Sequence, residues 1–176
     1  MADLNRQIVC ELLDVMQGHG VELTKINIQK TAYFLTAWGV SLGLRFRPYT
    51  YGPYSGELSR CLEDLAFWDN LAKKGDKAYE VRELPERPDL RVEEKARIRA
   101  CVTALYDAIL GKKAPSFDEM EIYGTVLYCR NALKAAAEED VTEDAILKQF
   151  KAWKGDTYPD AKVRAAIQNL ELHLAA

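Results

Sequence analysis

Between Ile26 and Trp68 the chain gathers nine of its aromatic residues, Tyr33, Phe34, Trp38, Phe46, Tyr49, Tyr51, Tyr54, Phe67 and Trp68, around one sharp bend, Arg45-Phe46-Arg47-Pro48-Tyr49-Thr50-Tyr51-Gly52-Pro53-Tyr54-Ser55-Gly56. Proline has no N–H to donate and a fixed φ, so this stretch cannot be a helix interior or a central strand. Each ring that packs removes roughly 150–250 Å² from water. A small module built around a rigidly held loop is therefore expected, with helix-like apolar segments on either side.

Leu4, Ile8, Leu12, Val15 and Met16 recur at helical spacing, so Asp3 to about Gln17 is predicted as an amphipathic helix with Asp3 as its cap and Gly18-His19-Gly20 as its stop. A second helix is predicted over Asn27 to Trp38, leaving at Gly39. Leu44 to Tyr51 alternates and is expected to be extended, as an edge strand or irregular arm because of Pro48. Gly52-Pro53 is expected to turn the chain, and Ser55 to cap a helix from Gly56 to Phe67 with Leu58, Cys61, Leu62 and Leu65 buried.

Leu71-Ala72-Lys73 and Ala78 to Leu84 flank Lys74-Gly75-Asp76, a hairpin signal. Three helices followed by a hairpin is the order of a winged helix. The predicted fold is mainly α with a small β-hairpin: a winged-helix-like module over residues 1–85 and a helical C-terminal layer over 86–176 packed on it, with Pro85-Glu86-Arg87-Pro88-Asp89 as the junction. In that layer, helices are expected over Val92 to Leu110, after a capping box of Ser116 and Glu119, from Thr142 to Trp153, and from about Pro159 to Leu174.

Three stretches resemble the core of the YwgA-like proteins of bacteria and archaea: Ile28-Gln29-Lys30-Thr31-Ala32-Tyr33-Phe34-Leu35, Leu42-Gly43-Leu44-Arg45-Phe46, and Tyr51-Gly52-Pro53-Tyr54-Ser55-Gly56-Glu57-Leu58. Tyr123-Gly124-Thr125-Val126-Leu127-Tyr128 and Phe150-Lys151-Ala152-Trp153-Lys154 are similar to the C-terminal half of the same family, so the resemblance covers most of the chain. It implies an architecture and no settled activity. More distantly the chain is similar to the Panacea antitoxin-type domain, with Thr50-Tyr51 where that domain more often has Ala-Trp. That similarity implies an antitoxin-like or defence-related partner-binding role.

The net charge of −3 excludes a generally sticky nucleic-acid binder, yet the segment from Thr24 to Arg60 sets Lys25, Lys30, Arg45, Arg47 and Arg60 against Glu57 alone. A local positive surface is one expectation there, and a solvated face balanced by neighbours the other. No apolar run approaches a membrane span and the start lacks a signal-peptide layout, so the protein is expected in the cytoplasm, away from membranes. Cys10, Cys61, Cys101 and Cys129 are isolated in apolar patterns and are expected to be buried, reduced thiols.

Catalytic signals are sparse. Ser55 is one position late for Gly-x-Ser-x-Gly, His19 and His173 are the only histidines, and no phosphate loop or metal-ligand spacing occurs. Glu138-Glu139-Asp140 and Glu143-Asp144 serve as helix-start charges more simply than as an acid–base pair. No catalytic residue, cofactor or metal is expected. The expected function is a non-enzymatic regulatory or adaptor protein that anchors a protein partner on Arg45, Arg47, Tyr49, Tyr51 and Tyr54. The alternative is a DNA-binding regulator touching phosphates through Lys73, Lys74 and Lys77 on the wing. Glu57, Glu63 and Asp64 on its recognition helix oppose that alternative.

Overall fold

The computed structural model describes residues 2–136 and 141–174, with side chains from Leu4 onward. Its elements are α1 (Ala2–Gly18), α2 (Lys25–Ala37), β1 (Arg47–Tyr49), β2 (Gly52–Tyr54), α3 (Gly56–Phe67), β3 (Leu71–Lys74), β4 (Ala78–Val81), α4 (Val92–Thr103), α5 (Phe117–Ala136), α6 (Glu143–Lys154) and α7 (Asp160–Leu174). The protein is mainly α with two small antiparallel hairpins, β1–β2 and β3–β4. No helix among the described residues is long and apolar enough to cross a membrane.

Local chemistry starts most of the helices. The side chains of Thr24, Ser55 and Thr142 accept from the backbone N–H groups of Asn27, Leu58 and Ala145. Ser116 and Glu119 bond each other's backbone reciprocally at 3.1 and 2.7 Å. Caps of this kind each stabilise a helix by about 1 kcal/mol. The chain enters α1 at Ala2, ahead of Asp3, whose side chain lies outside the described residues.

The order α1, α2, α3, then hairpin β3–β4 is the expected one, and the hairpin is tied back to the start of α2. Thr24 bridges Ala78, the Lys25 N–H donates to the Lys77 carbonyl at 2.7 Å, and the Tyr79 N–H to the Leu23 carbonyl at 2.9 Å. Leu71, Ala78 and Tyr79 face the core while Lys73, Lys74 and Lys77 face solvent. The junction 85–89 is clamped to α1: Arg87 meets Glu11 at 3.1 Å and Asp14 at 3.0 Å, and Asp89 exchanges two hydrogen bonds with Gln7.

Two expectations need correction. The chain does not turn at Gly52-Pro53; it turns at Thr50-Tyr51, and Gly52, Pro53 and Tyr54 form β2, which pairs with β1 in the register Tyr49–Gly52, Pro48–Pro53, Arg47–Tyr54. The two prolines face each other because neither can donate, so they occupy a non-hydrogen-bonded pair and leave the flanking pairs to make the ladder. Gly52, at φ +93°, closes the tip. Similarly, the helix expected to Leu110 is α-helical only to Thr103 and continues as a π-helical turn, Ala104–Ile109. The wider turn brings Leu105, Tyr106 and Ile109 all inward, and the fully buried Tyr106 hydroxyl meets Thr31 Oγ1 at 2.7 Å.

One apolar core runs through both halves of the chain, from Leu12, Phe34 and Leu58 to Val126, Phe150 and Ile167. Helix α5 is its axis: it packs against α2 and β2 on one side and α6 and α7 on the other, while α4 covers α1. The hairpin β1–β2 therefore sits on α2 and α5 at once.

Candidate functional site

The hairpin is braced by rings above and by two lysines below. Tyr49 stacks on Tyr54 with centroids 5.0 Å apart, and Tyr51 meets Phe117 of α5 edge-on at 5.0 Å. Tyr33 lies between Phe46 and Tyr128 at 5.3 and 5.9 Å. From beneath, Lys30 Nζ of α2 donates to the Pro53 carbonyl at 2.8 Å, and Lys154 Nζ of α6 donates to the Thr50 carbonyl at 2.5 Å.

Lys30 is only 2% exposed. Its stem threads a slot made by two absent side chains. A β-carbon on Gly124 would lie 2.8 Å from Lys30 Cδ, and one on Gly52 would lie 3.4 Å from Lys30 Cε and Nζ and 2.7 Å from Thr125 Oγ1. Gly124 sits inside α5, where glycine costs about 1 kcal/mol against alanine, so the lysine's passage is the physical reason for it. Burial pulls the Lys30 pKa down to about 7; Glu121 partly offsets this and the nearby Lys154 adds to it.

Behind the tip lies an ion pair that is itself buried. Lys154 Nζ and Glu121 Oε1 are 2.6 Å apart, with each side chain 6% exposed. The Tyr158 hydroxyl donates to Glu121 Oε2 at 2.7 Å, and its own ionisation is pushed well above the usual range by burial and by that carboxylate. Glu121 is thus satisfied by a cation and a phenol, and Lys154 links it to the hairpin. Removing either charge would leave the other buried and uncompensated.

The hairpin divides two concavities. One, of about 720 Å³, lies toward α6 and reaches Asp118, Glu121, Trp153 and Tyr158. The other, of about 750 Å³, lies toward the start of α2 and the β3–β4 turn and is lined by Ile26, Tyr54 and Pro115 together with Lys25, Lys30 and Lys77. Tyr49, Tyr51 and Phe117 border both.

No protein-family model matches this chain, and no curated protein matches it.

Of the residues predicted for partner binding, Tyr49 and Tyr51 project at the tip, 61% and 53% exposed. Tyr54 differs: it lies half-buried under Tyr49 with its hydroxyl donating to Ser59 Oγ at 2.7 Å. Arg45 is exposed but paired with Glu57, at 2.8 Å from the guanidinium and 2.8 Å from the backbone N–H, and these bonds hold the Glu57 carboxyl below its usual range. Arg47 is exposed and, among the described residues, forms no ion pair. The positive surface expected between Thr24 and Arg60 is accordingly smaller than its charge count, because Lys30 is interior and Arg45 is neutralised. Lys73, Lys74 and Lys77 are all exposed on the other hairpin, and only Lys77 also borders the second concavity.

Glu121 and Tyr158 were not singled out by sequence reasoning; Lys30 entered only as part of a positive segment, Lys154 only within a similar stretch, and Phe67 and Trp68, an exposed edge-to-face pair at the end of α3, only within the aromatic cluster. Gly124 inside a helix was the one local signal pointing toward the slot. Of the other residues weighed for chemistry, His19 meets Asp107 at 2.8 Å, Glu143 and Asp144 pair with Arg164, and Glu138-Glu139-Asp140 lies outside the described residues. The four cysteines are free thiols, but only Cys10 and Cys129 are buried as expected; Cys61 and Cys101 are half-buried at the edges of their helix stripes, and desolvation pushes Cys61 and Cys129 up to about 11 and about 12. Among the described residues no group of three or more His, Cys, Asp and Glu is placed to hold a metal.

Proposed function

We propose that this protein is a non-enzymatic regulatory or adaptor protein that docks a protein partner on the tip of hairpin β1–β2. The observation that carries this reading is the pair of outward tyrosines on a tip whose inward carbonyls are held by two buried lysines. Phenol rings on a preset backbone lose little conformational freedom on binding, and Tyr with Arg is a common energetic centre of interfaces. Arg47 beside Tyr49 adds a cation that forms no ion pair among the described residues. The distant Panacea similarity agrees with a partner-binding, antitoxin-like or defence-related setting, with cytoplasmic residence as part of the same proposal.

An enzyme would also need a cavity with a shifted titratable group, and Lys30 supplies one. Among the described residues, however, its nitrogen hydrogen-bonds only the Pro53 carbonyl, with no acid–base partner bonded to it. DNA binding through α3 is disfavoured by Glu63 and Asp64, both exposed, while the wing lysines suit phosphate contacts alone.

The test is affinity capture from the native host, with and without nuclease, using the protein and its Tyr49→Ala and Tyr51→Ala variants. A protein partner retained after nuclease and lost with the tyrosines is the expected result. Retention unchanged by both variants would reject the hairpin as the anchor. Retention abolished by nuclease and steeply weakened by salt would move the function to nucleic acid.

A further inference from the structure

We infer that the concavity between the hairpin, the start of α2 and the β3–β4 turn receives an acidic segment of the protein partner, an apolar residue flanked by carboxylates, with one carboxylate directed toward Lys30. This deepens the partner-binding reading above and rests on it.

Size and lining set the class of occupant. About 750 Å³ accommodates a few side chains, not a folded domain, and Ile26, Tyr49, Tyr51, Tyr54, Pro115 and Phe117 give it an apolar, ring-rich wall. Its charge runs against that of the whole chain. Three cations, Lys25, Lys30 and Lys77, face one carboxylate, Glu22, on a protein of net charge −3. Glu22 also lies 3.9 Å from Lys74, which reduces its effect on the cavity further.

Lys30 supplies the second, independent observation. An ammonium carries three donors, and among the described residues Lys30 uses one, on Pro53. The carboxylate that acts on it, Glu121, is already engaged by Lys154 and Tyr158, so among the described residues the buried lysine has no counter-ion of its own. The Thr125 hydroxyl, whose oxygen would be 2.7 Å from a β-carbon on Gly52, is likewise buried, without a hydrogen-bond partner among the described residues. Burying a cation unpaired is unfavourable, and an incoming carboxylate removes that penalty by pairing with it. The apolar wall takes the residue between the acids, and Lys25 and Lys77 at the mouth steer the segment in.

The charged and titratable groups around Lys30 are Lys25 on its own helix, Glu22 before it, Tyr49, Tyr51 and Tyr54 on the hairpin, Lys77 beyond β3, Glu121 on α5 and Lys154 on α6. Because unliganded Lys30 loses its proton near neutrality, carboxylate binding should take up a proton above pH 7.

The probe is a short fluorescein-labelled peptide with a central phenylalanine flanked by glutamates, compared by anisotropy with glutamine-flanked and lysine-flanked versions. The glutamate peptide is expected to bind about tenfold or more tighter than the glutamine peptide, and the lysine peptide not measurably. The Lys25→Gln/Lys77→Gln double variant, altered only at the surface, should weaken it by about tenfold. Raising the pH from 7 to 9 should weaken it by roughly tenfold, and Lys30→Met should abolish that pH dependence. Should Lys30→Met not fold, the double variant and the pH series on the unaltered protein decide. Equal binding of all three peptides, no binding at millimolar peptide, or an unchanged double variant would overturn the inference, as would a single-stranded oligonucleotide competing more strongly than the glutamate peptide. If Tyr49→Ala abolishes capture of the partner while the lysine double variant leaves it intact, the hairpin remains the anchor and only the acidic segment fails.

Discussion

Adding one methyl group to Gly124 tests whether the buried lysine and its slot form a unit. The new β-carbon would lie 2.8 Å from Lys30 Cδ and 3.4 Å from Cγ and Cε, well inside the roughly 3.5–4.0 Å at which carbon atoms rest. The stem has little room to yield, because Nζ is fixed on the Pro53 carbonyl and the Gly52 backbone closes the far side. Overpacking of this kind costs roughly 1–3 kcal/mol. Replacing glycine by alanine inside a helix returns about 1 kcal/mol. Gly124→Ala alone should therefore lie between neutral and about 2 kcal/mol destabilising. In a Lys30→Ala background the collision is gone, and the same change should stabilise by about 1 kcal/mol. The coupling between the positions is expected at roughly 1–3 kcal/mol, read from urea unfolding of the two single variants, the double variant and the parent. Additivity within about 0.5 kcal/mol would refute the slot as described.

Lys30 also gives stability a characteristic pH dependence. Its pKa is about 7 folded and near 10.5 unfolded, so between these values unfolding takes up a proton and stability rises with pH, by at most about 1.4 kcal/mol per unit, and is flat below pH 7. The stability of the protein relative to Lys30→Met should rise between pH 7.5 and 9.5, a difference in which the opposite contributions of the desolvated thiols, and above that range of Tyr33, Tyr106 and Tyr158, are common to both and cancel; parallel curves in denaturation would contradict it. Lys154→Met should destabilise by about 3–5 kcal/mol by stranding Glu121, and adding Glu121→Gln should recover much of the loss, a recovery that denaturant midpoints would reveal. At the exposed pair, Phe67→Ser and Trp68→Ser should each change stability by less than about 0.5 kcal/mol, and a larger loss in thermal unfolding would mean that these rings are covered.

Several features were legible along the chain because their causes are local. Ser55 caps α3, Thr142 caps α6, and Ser116 with Glu119 makes a reciprocal cap, since each bond joins residues three apart. The place of Tyr49 and Tyr51 at a bend followed from the prolines and the glycine around them. The turn was nonetheless placed two residues late, because facing Pro48 and Pro53 can share a non-hydrogen-bonded position only once β1 and β2 are paired. Lys30 was read as a surface charge because lysine is so rarely interior; its burial arises from contacts with Pro53, Gly52 and Gly124, up to 94 residues away along the chain.

The sequence alone determined where helices begin, that β3–β4 would follow α3, and that an aromatic bend would interrupt the helices, since propensity, capping and proline geometry act over a few residues. Tertiary packing alone decided that α5 would lie beneath that bend, that two lysines would hold its carbonyls, and that three cations would border one cavity of an acidic protein. Those outcomes depend on which distant groups exclude water together, and the free energy of a buried charge is set by that surrounding volume and not by its neighbours along the chain.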